Sequence, residues 1–267
     1  MKNVQTNRLS KQHKESEGPK GIFGKSAQEH DVSVHNVSRL TLETLKKEFP
    51  HMEFRHRTRI EKSEINRKLN SIDARLGVTI FVERSQIKPD GGLIEVKDDK
   101  GDWRIVLVSE AKHQGKDIEN ITAGILVGKN KNQNIMVAGN AIERSHKNIN
   151  EVRNVMIGEK HFPYVLFLQG SNFLTESMVV KFPDGKEVEL KYTDGALNRI
   201  DRLTAANYSL PINQNNCENI FVSVNDRTIM LQATSIYTKP LPWNVREMHK
   251  IMFEIAKTSL KVMKMVK

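Results

Sequence analysis

An α/β or α+β domain with a mixed sheet is predicted by three observations. Helix-period and strand-period apolar patterns alternate through the middle of the chain. Two strand patterns are joined by a short polar, glycine-containing loop that suits a hairpin. Two apolar runs are continuous, as strands buried on both faces require. The chain has 267 residues. No internal repeat or low-complexity block divides them, so residues 21–267 read as a single domain, and residues 1–20 read as a mobile arm. That arm carries Lys2, Arg8, Lys11, Lys14 and Lys20 against Glu15 and Glu17, with few apolar residues.

From Ser26 to Phe49, Val32, Val34, Val37, Leu40, Leu42 and Leu45 recur at helical spacing, and Pro50 closes the segment. Ile60–Leu69 is a shorter helical candidate. Leu93–Val96 and Trp103–Ala111 (WRIVLVSEA) carry strand patterns, and the loop between them is Lys97–Asp102. Gly115–Val127 reads as helical. Ala138–Met156 is the clearest helix, because Ala138, Ile142, Ser145, Ile149, Val152 and Met156 form one stripe. Tyr164–Leu168 (YVLFL) is a buried strand. Pro183-Asp184-Gly185 marks a turn between two short strands within Val179–Leu190. Leu197–Asn207 is a helix with Leu197, Ile200, Leu203 or Thr204, and Asn207 inward. Phe221–Val224 and Ile229–Ala233 are strand candidates. Pro242 and Trp243 open a last amphipathic helix with Met248, Ile251, Met252, Ile255 and Val262 on one face.

Composition narrows the function. Lys and Arg number 42 against 32 Asp and Glu, a net charge of +10, which suits a polyanionic partner such as nucleic acid. No apolar run approaches the roughly 18 residues of a membrane span. The N-terminus has no secretory apolar stretch, so a cytoplasmic protein is expected. The single cysteine, Cys217, excludes an internal disulfide framework or a multi-cysteine zinc site and reads as a buried filler. Gly24-Lys25-Ser26 imitates the end of a phosphate-binding loop, but Pro19 stands where that motif needs glycine.

The stretch that carries chemistry is Lys88-Pro89-Asp90 followed, after 19 residues, by Glu110-Ala111-Lys112. Side chains two apart in a strand share a face, so Glu110 and Lys112 point the same way. A hairpin brings the start of one strand beside the end of the next, which places Asp90 with them. Two carboxylates offer a hard divalent cation such as Mg²⁺ its oxygen ligands, and a neighbouring lysine stabilises developing charge or helps deprotonate a water. That is the equipment of phosphodiester hydrolysis. The spacing alone also admits a surface aspartate beside a Glu/Lys ion pair, worth about 1 kcal/mol or less. Placement favours the nuclease reading, since two charged residues end an otherwise apolar strand. His113 reads as a bystander. A nuclease that cuts by DNA structure and a DNA-binding module without catalysis remain alternatives.

The blocks IKPDGGLIEVKDD, SEAKHQGKD, AGNAIERSHKNI, HFPYVLFLQGSNFLTE, LNRIDRLTAANY and IMLQATSIYT, in that order between about Ile22 and Tyr237, resemble the EcoRI family of type II restriction endonucleases, within the PD-(D/E)xK nuclease superfamily. The resemblance implies a five-stranded mixed central sheet flanked by helices. It makes Asp90 and Glu110 the Mg²⁺ ligands, with the Ala111 carbonyl beside them, and Lys112 the catalytic lysine. It places DNA recognition at Met136, Asn140, Ala141, Glu143 and Arg144, with Arg199 and Arg202 contributing, and Val137 departs from the small residue expected there. Lys129 and Lys147 are expected phosphate contacts. It further implies a homodimer cutting the palindrome GAATTC after G in each strand, with a methyltransferase protecting the host. Asn can pair bidentately with adenine and Arg with guanine, although Glu143, Arg144 and Lys147 alone would also fit the solvated side of a helix. The two ends of the chain match the family pattern less well.

Overall fold

A computed structural model describes residues 25–82, 84–124, 139–191 and 194–267. The proposed arm, Lys129 and Met136 lie outside these residues. In chain order the elements are α1 (Lys25–Glu48), β1 (Phe54–Arg57), β2 (Ile60–Glu61), α2 (Lys62–Ile72), β3 (Gln86–Ile87), β4 (Gly92–Lys97) and β5 (Trp103–His113). They continue with α3 (Asp117–Thr122), α4 (Gly139–Val155), β6 (Tyr164–Gln169), β7 (Met178–Lys181), β8 (Glu187–Leu190) and α5 (Asp194–Ala206). The last are β9 (Ile220–Val224), β10 (Arg227–Leu231), β11 (Ser235–Lys239) and α6 (Val245–Val262). The expected helix over Gly115–Val127 is shorter among the described residues, only the six residues of α3.

Five strands form one sheet in the order β1-β4-β5-β6-β11. The β1/β4 and β4/β5 pairs are antiparallel, whereas β5/β6 and β6/β11 are parallel. The sheet is therefore mixed, as expected. Its central strands β4, β5 and β6 are buried on both faces, which is why their sequences read as continuous apolar runs.

Helices α1 and α6 cover one face. There Val34, Val37, Leu42 and Leu45 of α1 meet Met248, Met252, Ile255 and Leu260 of α6 over Val106, Leu107, Ala111, Val165 and Phe167. Two residues expected on the inner stripe of α1, Val32 and Leu40, point to solvent. Val32 lies on the far side of the helix from Val34, Leu40 sits at the border of the buried face beside Val37, and buried His30, Ser38 and Thr41 complete the inner face instead. Helix α6 starts at an Asn244 N-cap with a full capping box to Glu247.

Helix α4 covers the other face. Ile142, Ile149, Val152 and Met156 pack on Val108, Tyr164, Leu166 and Leu168, together with Ile200 and Leu203 of α5. The predicted stripe is buried from Ile142 to Met156, Ser145 included. Strands β7 and β8 form the expected separate hairpin. The candidates β9 and β10 pair with each other, join no other strand among the described residues and leave Phe221 and Ile229 exposed.

A β-bulge decides what β5 presents to each face. The register shifts between Ile94 and Glu95 of β4, which pair with Leu107 and Ile105. Val106 is thus an extra residue on β5. It and Leu107 both belong to the α1/α6 core, while Ile105 and Val108 belong to the α4 core. Beyond the bulge the even-numbered residues face α4. Without it, Ala111 would point there in place of Glu110 and Lys112.

Candidate active site

Asp90 sits in the turn that leads into β4, and Glu110 and Lys112 lie near the end of β5. The pairing of Gly92 with Ser109, and the bond from Gly91 N–H to the Ser109 carbonyl at 2.9 Å, bring Asp90 level with Glu110 and Ala111. Two glycines make this possible. A side chain at Gly91 would meet Ser109 Oγ at 2.1 Å, and Gly92 holds φ at +74° with the Arg57 carbonyl 2.5 Å from where a Cβ would stand.

The three side chains meet as the sequence predicted. Lys112 Nζ donates to Asp90 Oδ2 at 2.7 Å, to Glu110 Oε1 at 2.6 Å and to the Ala111 carbonyl at 2.6 Å. Ala111 N–H donates to Asp90 Oδ2 at 3.1 Å, and Asp90 N–H lies 3.3 Å from Glu110 Oε2. The three oxygens expected to hold a metal thus converge on one cationic centre. The donor set is all oxygen, which suits a hard cation. Among the described residues no three His, Cys, Asp or Glu side chains gather around one point, so a cation here would have two carboxylates and a carbonyl.

Electrostatics argues the same way. Glu110 is fully buried, and that burial pushes its pKa up to about 7 against the pull of Lys112. Burial alone would lower the Lys112 pKa, yet Glu110 and Asp90 together raise it. With both acids ionised, one ammonium leaves the cluster with a net charge of −1. A buried, undercompensated carboxylate pair favours additional positive charge.

Several residues join the site that the sequence reading did not assign. Asn148 of α4 donates from Nδ2 to Glu110 Oε1 at 2.9 Å. Its signal was weak: position 148 lies four residues beyond Arg144, one turn along the same helix face. His30 of α1 is buried with Nε2 3.3 Å from the Phe167 carbonyl, and burial lowers its pKa to about 4. Next to it, Asp31 is half-buried, and burial followed by the Asp90 charge raises its pKa to about 6. No sequence pattern linked α1 to this end of β5. His113, expected to be a bystander, has its side chain buried with Nε2 3.7 Å from Glu119 Oε1.

The candidate recognition residues within the described chain lie on α4 and α5. Asn140, Ala141, Glu143 and Arg144 lie in the first turns of α4, with Arg144 exposed. Lys147 is exposed on the same helix. Arg199 and Arg202 lie three apart on α5, with Arg202 exposed. Helix α5 packs on α4, and Arg153 of α4 donates to Asn207 Oδ1 at 3.1 Å just past the end of α5. Cys217 is buried as expected, and burial pushes its thiol up to about 12.

The profile of the family described as Restriction endonuclease EcoRI matches residues 16–266. The chain belongs to the EcoRI restriction endonuclease family. The match runs past Tyr237 to the end of α6, so the C-terminal stretch fits the family better than the sequence blocks suggested. Among the relatives is the type II restriction enzyme EcoRI of Escherichia coli, 58% identical over 261 residues, which are 97% of this chain and 94% of that enzyme. Another is the type II restriction enzyme RsrI of Cereibacter sphaeroides, 53% identical over 255 residues, 96% of this chain and 92% of that enzyme. The mixed five-stranded sheet with flanking helices is consistent with the EcoRI family fold.

Proposed function

We propose that this protein is a Mg²⁺-dependent type II restriction endonuclease that hydrolyses both strands of a palindromic DNA site. The observation that carries the reading is the meeting of Asp90, Glu110, the Ala111 carbonyl and Lys112 at one point, in a chain of the EcoRI family. Relatives that share 58% and 53% of its residues are named type II restriction enzymes. GAATTC, cut after G to leave four-base 5′ overhangs, is the specificity we assign.

Asp90, Glu110 and the Ala111 carbonyl would hold Mg²⁺, which when bound supplies positive charge against a phosphate oxygen and acidity to a water. Lys112 keeps an ammonium beside the same oxygens, where it stabilises the negative charge that develops as water adds to phosphorus and a backbone P–O bond breaks. Burial of Glu110 and Tyr164 beneath the cluster keeps the local dielectric low, which strengthens every charge interaction there. Asn140, Ala141, Glu143 and Arg144 at the start of α4, with Met136 before it and Arg199 and Arg202 on the adjoining helix, supply base recognition. Lys129 and Lys147 supply phosphate contacts that position the protein without specifying sequence.

The partner is double-stranded DNA, bound by a homodimer whose two-fold axis matches that of the palindrome, each subunit cutting one strand. We place the enzyme in the cytoplasm, with a cognate methyltransferase as its biological counterpart. A plasmid digest with Mg²⁺ and with chelator tests the reading. Discrete fragments that appear only with Mg²⁺ support it. A smear would indicate cutting by DNA structure, and intact plasmid in Mg²⁺ would leave a binding protein without catalysis.

A further inference from the structure

The candidate recognition segment and the candidate metal ligands belong to different elements, α4 and the β4–β5 hairpin. Asn148, half-buried on α4, joins them directly through its 2.9 Å bond from Nδ2 to Glu110 Oε1. That oxygen also accepts from Lys112, and the other carboxylate oxygen faces Asp90 N–H. A neutral amide donor and a charged donor on one oxygen fix the plane of the carboxylate and its approach to Asp90.

Asn148 is also placed to report where α4 sits. Positions 140, 144 and 148 follow one another at four-residue intervals along this helix, and the eight residues span about 12 Å. Beyond Asn148 the helix is anchored. Glu151 pairs with Lys62 of α2 at 3.2 Å, Arg153 donates to the Gln232 carbonyl at 2.9 Å, and Ile149 and Val152 are buried. A continuous helix is stiff over this length, so a tilt of its N-terminal end about that anchor is carried to Asn148.

We propose that Asn148 is a positioning residue. Its amide sets the orientation of Glu110 and makes the metal-binding geometry depend on the docking of α4, which couples base recognition to cleavage. The inference rests on the reading of Glu110 as a metal ligand and of α4 as the recognition helix. Groups that orient metal ligands typically change metal affinity or activity about 10–100-fold when removed.

The test uses the full chain with Asn148→Leu, which keeps the shape and removes the donor, and Asn148→Ala. Mn²⁺ affinity is measured by paramagnetic resonance, and affinity for a GAATTC duplex is measured in chelator. Mg²⁺ dependence of cleavage is followed, and circular dichroism confirms folding. We expect Mn²⁺ binding weakened about 10-fold or more, unchanged DNA affinity, and slowed cleavage that recovers as Mg²⁺ is raised. Unchanged Mn²⁺ affinity in both variants, while Glu110→Ala loses it, would overturn the role of Asn148 and leave the site reading standing. Lost DNA affinity with unchanged Mn²⁺ affinity would also overturn it, because Asn148 would then be a DNA contact. Wild-type Mn²⁺ binding and cleavage in Glu110→Ala would overturn the site reading and this inference together.

Discussion

At Lys112 one ammonium meets three oxygens that a hard cation would also seek, and the proposed chemistry of the site rests on the balance between those two occupants. Removing the amine or the buried acid should therefore end catalysis without unfolding the chain. Lys112→Ala and Glu110→Ala are expected to lose cleavage by several orders of magnitude and to keep the wild-type circular dichroism spectrum. Cleavage at the wild-type rate in either variant would take that residue out of the reaction. Asp31 yields a prediction about stability. Burial and the charge of Asp90 raise its pKa from 3.8 to about 6, so the folded chain holds the proton more tightly than the unfolded chain. Stability from this group is then greatest below pH 4 and falls as pH rises to about 6. Asp31 is only half-buried, so solvent screening limits the cost at neutral pH to about 1 kcal/mol. Asp31→Asn should raise stability at pH 7 by about that amount and leave it nearly unchanged at pH 4. Denaturation at the two pH values checks this, and a variant less stable at pH 7 would contradict it.

Among the elements, the turn that carries Asp90 has the least freedom. At Gly92 a methyl group would meet the Arg57 carbonyl on neighbouring β1 while the backbone keeps a positive φ. Gly92→Ala is expected to cost about 1–3 kcal/mol and to reduce cleavage by shifting Asp90, as thermal melts and initial rates would show. A variant with wild-type stability and rate would mean that the turn tolerates rearrangement. The legibility of the sequence follows from the same physics. β4, β5, β6 and α4 could be read because long apolar runs and an unbroken 3–4 stripe leave one solution each. β1 (FRHR) and β11 (SIYTK), the two edges of the sheet, could not. Each is short and half polar, and β1 is held by its ladder to β4, by the one buried apolar residue Phe54 and by Arg55 and Arg57 pairing with buried Glu95 of β4. Ile229–Ala233 drew the strand reading away from Ser235–Lys239, although β10 pairs only with β9 among the described residues. Convergence of Asp90, Glu110 and Lys112 followed from the hairpin, but the bulge at Val106 that turns them toward α4 has no sequence signal. The contribution of Asn148 had none beyond its spacing from Arg144.

For the whole molecule, the excess of 42 basic over 32 acidic residues fits a protein that holds DNA largely through its phosphates. DNA affinity should then fall steeply with salt. With six or more phosphate contacts it would drop by roughly 10³-fold or more between 50 and 200 mM salt. A titration by fluorescence anisotropy checks this, and a flat profile would rule out phosphate-dominated binding. The proposed function requires two carboxylates to hold a divalent ion, and an ammonium to stand beside them, at one defined phosphodiester. The most direct measurement is a Mg²⁺ digest of a duplex of known sequence carrying one GAATTC site, with both cut ends mapped to the nucleotide for wild type and Glu110→Ala. The proposed function predicts a single break after G in each strand for the wild type and none for the variant. Scattered breaks, or the same breaks from the variant, would contradict it.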